Sequence, residues 1–143
     1  MQRSALIALL FSALFFSVST SNAQNRRGPG RDPWTYGNGN NKWDPSWNQR
    51  PMPSTGACFF TDAGFRGNRF CVRRGDRLDR LPGNFGDNIS SIQVFGRSRV
   101  VVFNDRNFTG GSQQFNGSVQ DLRNRRFRDG HTWNNRISSV IVQ

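Results

Sequence analysis

Short apolar runs separated by Gly, Asn and Asp fill the chain from residue 56 onward. They are rich in β-branched and aromatic residues, and no stretch has a helical period of useful length. The runs predict six strands, which are ACFFTD (57–62), NRFCVR (68–73), ISSIQVF (89–95), RVVVFND (99–105), SQQFNG (112–117) and RISSVIVQ (136–143). Val119 and Leu122, three residues apart, mark the place most open to a helical turn. Many short strands with turn residues between them indicate an all-β sandwich or barrel.

An internal repeat refines this prediction. FFTDAGFRGNRF recurs 43 residues later as VFNDRNFTGGSQQF, and FGDNISSIQVF recurs 48 residues later as WNNRISSVIV. A unit of this length is too small to bury its own apolar face, so two units should pack together. The repeat predicts two four-stranded Greek-key motifs, at 57–97 and 98–143, that form one β-sandwich.

Two segments precede the repeat. Residues 1–23 have an early Arg3, an apolar run over 5–18 and small residues near Ala23, which predict a secretory signal peptide. The run is shorter than a membrane span, so we expect no transmembrane segment in a mature chain that is secreted, extracellular or periplasmic. Residues 24–56 contain few aliphatic residues and predict a disordered linker, in which Trp and Tyr are interleaved with Arg and Lys.

Cys58 and Cys71 are the only cysteines. In an exported protein they predict one disulfide across a hairpin, and two thiols alone cannot form a zinc site. The net charge of +11 comes almost entirely from Arg, since Lys42 is the only lysine and Glu is absent. Such a surface attracts polyanions, although it also serves simply to keep a protein soluble.

Each repeat has an aromatic residue, four residues, a second aromatic, one residue and then Gly: Phe60, Phe65 and Gly67, then Phe103, Phe108 and Gly110. This pattern resembles the Greek-key motif of the βγ-crystallin family. Calcium-binding members carry Asn/Asp, Asn/Asp, two variable residues, Ser/Thr and Ser, which the segment 134–139 matches at every position. The segment 86–91 matches except at its first position, where Gly86 stands.

The resemblance implies two calcium ions per domain, each bound by residues of both motifs. Asp87 and Asn135 would each lend a side-chain oxygen to the other motif's site. Ser90 and Ser138 would lend hydroxyl groups, and Asn88 and Arg136 would lend backbone carbonyls. Further carbonyls would come from the folded hairpins, near Thr61 and Asn104.

The chemistry of these residues agrees with calcium, which prefers oxygen ligands. Asp87 is the only carboxylate at the signature positions, so the sites should be weak, with dissociation constants on the order of 10⁻⁴ to 10⁻³ M. The alternative interpretation is that these Asn, Asp and Ser residues only cap turns through local hydrogen bonds.

Three functions are compatible with these features. The first is a secreted, non-enzymatic calcium-binding protein with a structural or surface-binding role. The second is a metalloproteinase inhibitor, as in related small secreted proteins of this architecture; its loop would be the insertion RNRRFRDGHT, whose conformation no sequence feature sets. The third is a protein that binds an anionic polymer or the cell envelope. An enzyme is not predicted, because His131 is the only histidine and no carboxylate pair is evident.

Overall fold

The computed structural model describes residues 45–143, so the predicted signal peptide and residues 24–44 of the predicted linker lie outside the described residues. A 3-10 helix, Pro45–Gln49, comes first. Seven strands follow, which are β1 (Gly56–Asp62), β2 (Arg66–Arg73), β3 (Arg77–Leu78), β4 (Ser91–Phe95), β5 (Val100–Phe103), β6 (Ser112–Phe115) and β7 (Ser139–Val142). Two further 3-10 helices, Gly83–Phe85 and Leu122–Asn124, lie between strands. The second of these forms where Val119 and Leu122 favoured a helical turn.

The strands form two antiparallel sheets, and each motif sends one segment into the other motif's sheet. The first sheet has the order β2-β1-β4 and the second has the order β3-β7-β5-β6. Thus β3 leaves the first motif and pairs with β7 of the second. In return Val119 of the second motif forms an isolated bridge with Ile92 of β4. This exchange confirms the predicted all-β sandwich of two Greek keys.

Each of the six predicted strands is present, with bounds that differ by a few residues. The strand that the sequence pattern missed is β3, whose two residues form no apolar run. It exists because Arg77 and Leu78 pair with Ile141 and Val140 of β7. Long-range pairing of this kind leaves no local signal.

The core lies between the two sheets and is built from alternate positions along the strands. In β1, Ala57 and Phe59 face it, while Cys58 and Phe60 belong to a smaller cluster on the other face of the sheet. Its largest fully buried side chains are Trp133, Phe59, Phe70, Phe85, Ile89, Ile92, Leu122, Ile137, Val100, Val102, Val140 and Val142.

The predicted disulfide is present between Cys58 and Cys71. The two residues are directly opposite each other in the β1–β2 ladder, and both side chains are buried. Phe65 and Phe95 pack against this small cluster. The disulfide therefore covalently joins the two strands of the first hairpin.

The packed region begins before residue 57, where we predicted a disordered linker. Trp47 is only 5% exposed and stacks on Phe85 with ring centroids 6.3 Å apart. The Arg69 guanidinium donates hydrogen bonds of 2.7 Å to the carbonyl oxygens of both Asn48 and Arg50. The linker prediction is therefore wrong for this part of the segment, because one large aromatic side chain buries enough area to order a stretch that is poor in aliphatic residues.

Candidate functional site

The hairpin between the first two strands of each motif is folded over in the same way. The rings of Phe60 and Phe65 lie 5.9 Å apart, and those of Phe103 and Phe108 lie 5.8 Å apart. At the equivalent glycines the backbone is left-handed, with φ of +80° at Gly67 and +76° at Gly110. The repeated aromatic and glycine positions thus have the same structural role in both motifs.

One buried serine holds each folded hairpin. The Ser91 hydroxyl accepts a hydrogen bond from the Phe65 amide at 3.0 Å and donates one to the Asp62 carbonyl at 2.6 Å. The Ser139 hydroxyl makes the equivalent bonds with Phe108 at 3.1 Å and Asp105 at 2.6 Å. The last serine of each signature is therefore structural, which leaves the preceding serine to carry any ligand chemistry.

The two signature loops contact each other across the boundary between the motifs. Asp87 and Asn135 occupy equivalent positions, and both have φ of +55°. The Asp87 amide donates to the Ile137 carbonyl at 3.1 Å, and the Asn135 amide donates to the Ile89 carbonyl at 2.9 Å. These reciprocal bonds place each loop beside the other motif's closing strand.

The side chains pair across the motifs in the same reciprocal way. The Ser138 hydroxyl donates to Asp87 Oδ1 at 3.0 Å, and the Ser90 hydroxyl lies 3.5 Å from Asn135 Oδ1. We call the first pair the carboxylate cluster and the second pair the amide cluster. The four side chains that the resemblance assigns across the motifs thus lie in two pairs. The carboxylate cluster combines a carboxylate oxygen with a hydroxyl group, and the amide cluster combines an amide oxygen with a hydroxyl group.

The four carbonyl-donating residues that the resemblance implies lie near these clusters. The Ser90 amide bonds to the Phe60 carbonyl, one residue before Thr61, and the Ser138 amide bonds to the Phe103 carbonyl, one residue before Asn104. Thr61 lies where the β1–β2 register shifts, outside the paired positions. Asn88 and Arg136 follow Asp87 and Asn135 directly, and among the described residues no backbone amide donates to their carbonyl oxygens.

The side chains of Thr61 and Asn104 are already used within the hairpins. Thr61 Oγ1 accepts from the Asn68 amide at 3.0 Å, and Asn104 Oδ1 accepts from the Gly111 amide. Their main-chain carbonyls are therefore the oxygens that these residues can offer to a cation.

The donor set of the two clusters fits a hard cation and no softer one. Within residues 45–143 no three His, Cys, Asp or Glu side chains come together, so zinc-type ligation has no basis there. Asp87 is the one carboxylate in the pair of clusters. Beside the amide cluster, Asn134 Oδ1 is buried with no hydrogen-bond partner among the described residues. An acceptor without a donor costs free energy, and a nearby cation or a reoriented side chain would relieve it.

The insertion of the second motif forms an ordered hairpin, which we call the arginine hairpin (residues 123–132). Arg126 and Thr132 form a bridge, and the chain turns at Asp129 and Gly130, which both have positive φ. Phe127 fixes the hairpin to the core, with its ring 4.5 Å from that of Trp133. The conformation is therefore set, contrary to our expectation. The sequence feature that could have predicted this hairpin is the Asp129-Gly130 pair, which is a strong signal for a hairpin turn.

His131 lies in this hairpin and is exposed. Its amide donates to the Arg128 carbonyl at 3.0 Å, and its carbonyl accepts from the Phe127 amide at 2.8 Å. These are main-chain bonds that shape the turn.

One ion pair closes the base of the arginine hairpin. The Arg123 guanidinium donates to both carboxylate oxygens of Asp121, at 2.8 to 3.0 Å. These bonds hold the pKa of Asp121 below its ordinary value and raise the pKa of Arg123. The negative charge of Asp121 is therefore neutralised by Arg123, and the positive charges of the other arginines in the hairpin are not neutralised by it.

The comparisons with solved structures agree with this topology. The chain is similar to a βγ-crystallin domain from a structure on the evolution of the eye-lens domain fold, with a TM-score of 0.53 and 24% identity over 66% of this chain and 91% of that one. The chain has the βγ-crystallin fold. It is also similar to the N-terminal domain of protein S, with a TM-score of 0.50 and 18% identity over 62% of this chain and 94% of that one.

A third βγ-crystallin-fold neighbour is a domain of Abundant Perithecial Protein from Neurospora crassa in the Ca²⁺-bound form. Its TM-score is 0.50 and its identity is 20%, over 65% of this chain and 92% of that one. At these identities the neighbours establish the fold alone, which confirms the predicted resemblance at that level.

Part of the chain also matches a family model, that of peptidase inhibitor family I36, over residues 48–115. The match includes the disulfide hairpin and the first signature loop, but it ends before the arginine hairpin. No curated protein matches the chain significantly. Within residues 45–143 no helix is long and apolar enough to cross a membrane.

Proposed function

We propose that this protein is a secreted, non-enzymatic domain that binds calcium in its two cross-motif clusters. One observation carries the proposal: Asp87 faces Ser138, and Asn135 faces Ser90, across the boundary between the motifs. Turn capping explains a side chain that bonds within its own loop, but these side chains are paired with residues 51 and 45 positions away. The oxygen atoms of the two signatures come together only in the folded domain. This arrangement is suited to an ion that joins the two motifs.

Calcium would be held by the same residues that the sequence suggested. Ser138, Asp87 and the carbonyls of Arg136 and Asn104 would hold it at the carboxylate cluster. At the amide cluster Ser90, Asn135 and the carbonyls of Asn88 and Thr61 would do so. Arg136 contributes only its main chain, because a guanidinium repels a cation.

The two clusters should differ in affinity. Only the carboxylate cluster offers a negative charge, and calcium affinity rises with the charge of its ligands. The surrounding domain is basic, with 14 Arg against 7 Asp over residues 57–143. We therefore expect weak binding, on the order of 10⁻⁴ to 10⁻³ M, with the carboxylate cluster filling first. The extracellular or periplasmic location of a secreted chain would supply calcium in that range.

A calorimetric titration and a thermal melt test the proposal together. Calcium should release heat on binding and should raise the melting temperature relative to the protein in chelator. A ligand at a hundredfold excess over its dissociation constant stabilises the folded state by about 2.7 kcal/mol. Magnesium at the same concentration is the control, since it demands a tighter octahedral site. No heat and no shift at millimolar calcium would contradict the proposal.

Two variants localise the binding. Ser138→Arg removes the hydroxyl and adds a positive charge at the carboxylate cluster, so the tighter of the two binding events should disappear. Gly86→Asn restores the residue that the signature carries, and it should strengthen binding. A side chain fits at position 86, because φ is −55° there and a Cβ atom would meet nothing within 4 Å. Gly86→Ala is the matched control, and it should leave the affinity unchanged.

Peptidase inhibition is the second candidate function, and the match to the inhibitor family model favours it. The arginine hairpin lies outside the matched residues, so an inhibitory surface shared with that family should lie within residues 48–115. This region contains the disulfide-linked β1–β2 hairpin. The two candidate functions are compatible, because calcium would stabilise the scaffold on which such a surface stands.

A panel of metallopeptidases and serine peptidases tests this second function. Residual peptidase activity should fall as the protein is added, and the inhibitor should remain uncleaved. A variant in which Arg125, Arg126 and Arg128 are changed to Gln should inhibit as well as the wild type if the surface lies within residues 48–115. Loss of inhibition in that variant would move the surface to the hairpin, and full activity of every peptidase would exclude inhibition of the classes tested.

A further inference from the structure

A polar groove lies beside the base of the arginine hairpin, and its lining includes none of the four residues of the two signature clusters. It consists of two adjoining depressions of about 480 and 300 Å³, which share Val119 and Arg125 in their linings. One depression extends toward Gly64 and Arg66 at the β1–β2 turn. The other extends along β6 and the turn that follows it, to Ser118. Arg125 therefore lies where the two depressions adjoin, and we call the two together the arginine groove.

The charge of the arginine groove is positive. Arg66 and Arg125 line it, and the one carboxylate in its lining, Asp121, is taken up by the bidentate bonds from Arg123. No side-chain hydrogen bond or ion pair to a described residue engages Arg125, and its main chain is held by the Trp133 amide at 2.9 Å. A fixed backbone thus presents a guanidinium that is available for an external oxyanion, which it can bind through two parallel hydrogen bonds.

Amide side chains make up most of the remaining polar lining. They are Gln113, Gln114, Asn116, Gln120 and Asn124. Gln114 Nε2 donates to Asn116 Oδ1 at 2.7 Å, so these two side chains orient each other. An amide both donates and accepts hydrogen bonds, which suits a ligand that carries hydroxyl groups. The groove therefore combines oxyanion recognition with hydroxyl recognition.

The arginine groove lacks the rings that a nucleic acid requires. Its lining includes one aromatic residue, Phe115, which is 6% exposed, and the nearby Phe127 packs against Trp133. Among the described residues the one exposed large hydrophobic side chain is Met52. Single-stranded nucleic acids gain much of their affinity by stacking bases on exposed aromatic rings. The described part of the chain offers no such platform at the groove, so the lining favours a hydroxylated ligand without bases.

We propose that the arginine groove binds an acidic polysaccharide, with Arg66 and Arg125 holding its carboxylate or sulfate groups and the amides holding its hydroxyls. Such a ligand is long enough to reach the exposed Arg126 and Arg128 of the arginine hairpin as well. The function is distinct from calcium binding and from peptidase inhibition.

The test uses the full chain with three probes: polygalacturonate for carboxylates, dextran sulfate for sulfates, and neutral dextran as the uncharged reference. The double variant Arg66→Gln, Arg125→Gln is compared with Arg74→Gln, Arg97→Gln. Both pairs remove two exposed positive charges, but Arg74 and Arg97 lie at the opposite end of the first sheet, where Gly56 pairs with Arg73 and Phe95. Thermal melts of all variants establish that they fold. If the double variant does not fold, the single variant Arg125→Gln replaces it in the comparison.

We expect at least one charged polysaccharide to bind and neutral dextran not to bind. The groove variant should bind at least about tenfold more weakly, because two charge-assisted hydrogen-bonding groups are lost, while the control variant changes little. The slope of log Kd against log salt concentration should fall by about one for each lost contact. The relative binding of the two charged probes identifies the oxyanion.

Three results would overturn the proposal. Binding of neither charged polysaccharide at low salt would do so directly. An equal loss in the groove and control variants would mean that only the overall charge matters. Tighter binding of a single-stranded oligonucleotide than of either polysaccharide, with the same dependence on Arg66 and Arg125, would assign the groove to nucleic acid.

Discussion

Trp47 is the residue whose removal best tests how far the folded domain extends. Its side chain is 5% exposed, stacks on Phe85 and lies under the Arg50 guanidinium, which is 5.7 Å from the centre of its ring. If this packing is part of the domain, Trp47→Ala should destabilise the whole fold. If the segment is a disordered linker, the substitution should have no effect.

The structure sets the magnitude of the effect. Truncating a buried Trp or Phe to Ala costs about 3–5 kcal/mol in a well-packed core. Trp47 lies near the start of the packed region, where the chain can relax around the missing ring, so we expect the lower end, about 3 kcal/mol. For a domain of this size each kcal/mol lowers the melting temperature by about 4–8 °C, which gives a fall of roughly 12–24 °C.

Chemical denaturation of the full chain, followed by circular dichroism, measures this change. Met52→Ala is the matched control, because Met52 lies in the same segment but is 44% exposed. Surface substitutions usually change stability by less than about 0.5 kcal/mol. A Trp47→Ala variant as stable as the Met52→Ala variant would refute the reasoning, and the domain would then begin at β1 as the composition suggested.

Two further predictions concern the first hairpin. Gly67→Ala should destabilise the domain by more than Gly75→Ala, although both glycines have positive φ, because a Cβ at Gly67 would collide with the Thr61 and Asp62 side chains while one at Gly75 meets nothing within 4 Å. The denaturation midpoints of the two variants test this difference. An equal loss of stability in both would mean that the strain of the positive φ alone destabilises them. Reducing the Cys58–Cys71 disulfide should cost about 3 kcal/mol on the chain-entropy estimate for a loop of this length. Melts with and without reductant measure it, and an unchanged midpoint would show that strand pairing suffices.

The features that the sequence predicted are those that depend on local backbone requirements. Phe60, Phe65 and Gly67 recur because a folded hairpin needs a ring to cover it and a left-handed residue to close it. The signature serines recur because one of each pair, Ser91 and Ser139, must bond to that hairpin. A repeat makes such requirements visible twice, which is why the fold could be predicted without a structure. The cluster residues were predicted from the resemblance to the βγ-crystallin signature.

The features that were missed depend on partners distant in sequence. Strand β3 depends on its pairing with β7, and Trp47 is buried in a core cluster that includes Phe85. The different roles of Ser90 and Ser91 have the same origin. The Ser90 hydroxyl faces Asn135 of the other motif, whereas the Ser91 hydroxyl bonds to the folded hairpin of its own motif. Composition alone carries no information about any of these pairings.

The structure also links the proposed amide cluster to the arginine hairpin. The Leu122 amide, just before the hairpin, donates to the Ser90 carbonyl at 2.8 Å, and the Asn135 amide, just after it, donates to the Ile89 carbonyl at 2.9 Å. Both ends of the hairpin are therefore held by the loop that supplies Ser90 to the cluster. If calcium binds between Ser90 and Asn135, it should strengthen both attachments and slow the local opening of the hairpin base.

Amide hydrogen exchange followed by NMR measures this effect. Calcium should slow exchange at Leu122 and Asn135 by a larger factor than at Arg99, whose amide bonds to the Gln143 carbonyl at 2.7 Å at the opposite end of the fold. Local opening costs less than global unfolding, so the difference should be clearest under conditions where the domain is stable. A uniform slowing at all three amides would mean that calcium stabilises the fold as a whole and leaves the hairpin base no more constrained than the rest. The hairpin and the cluster would then be neighbours without being coupled.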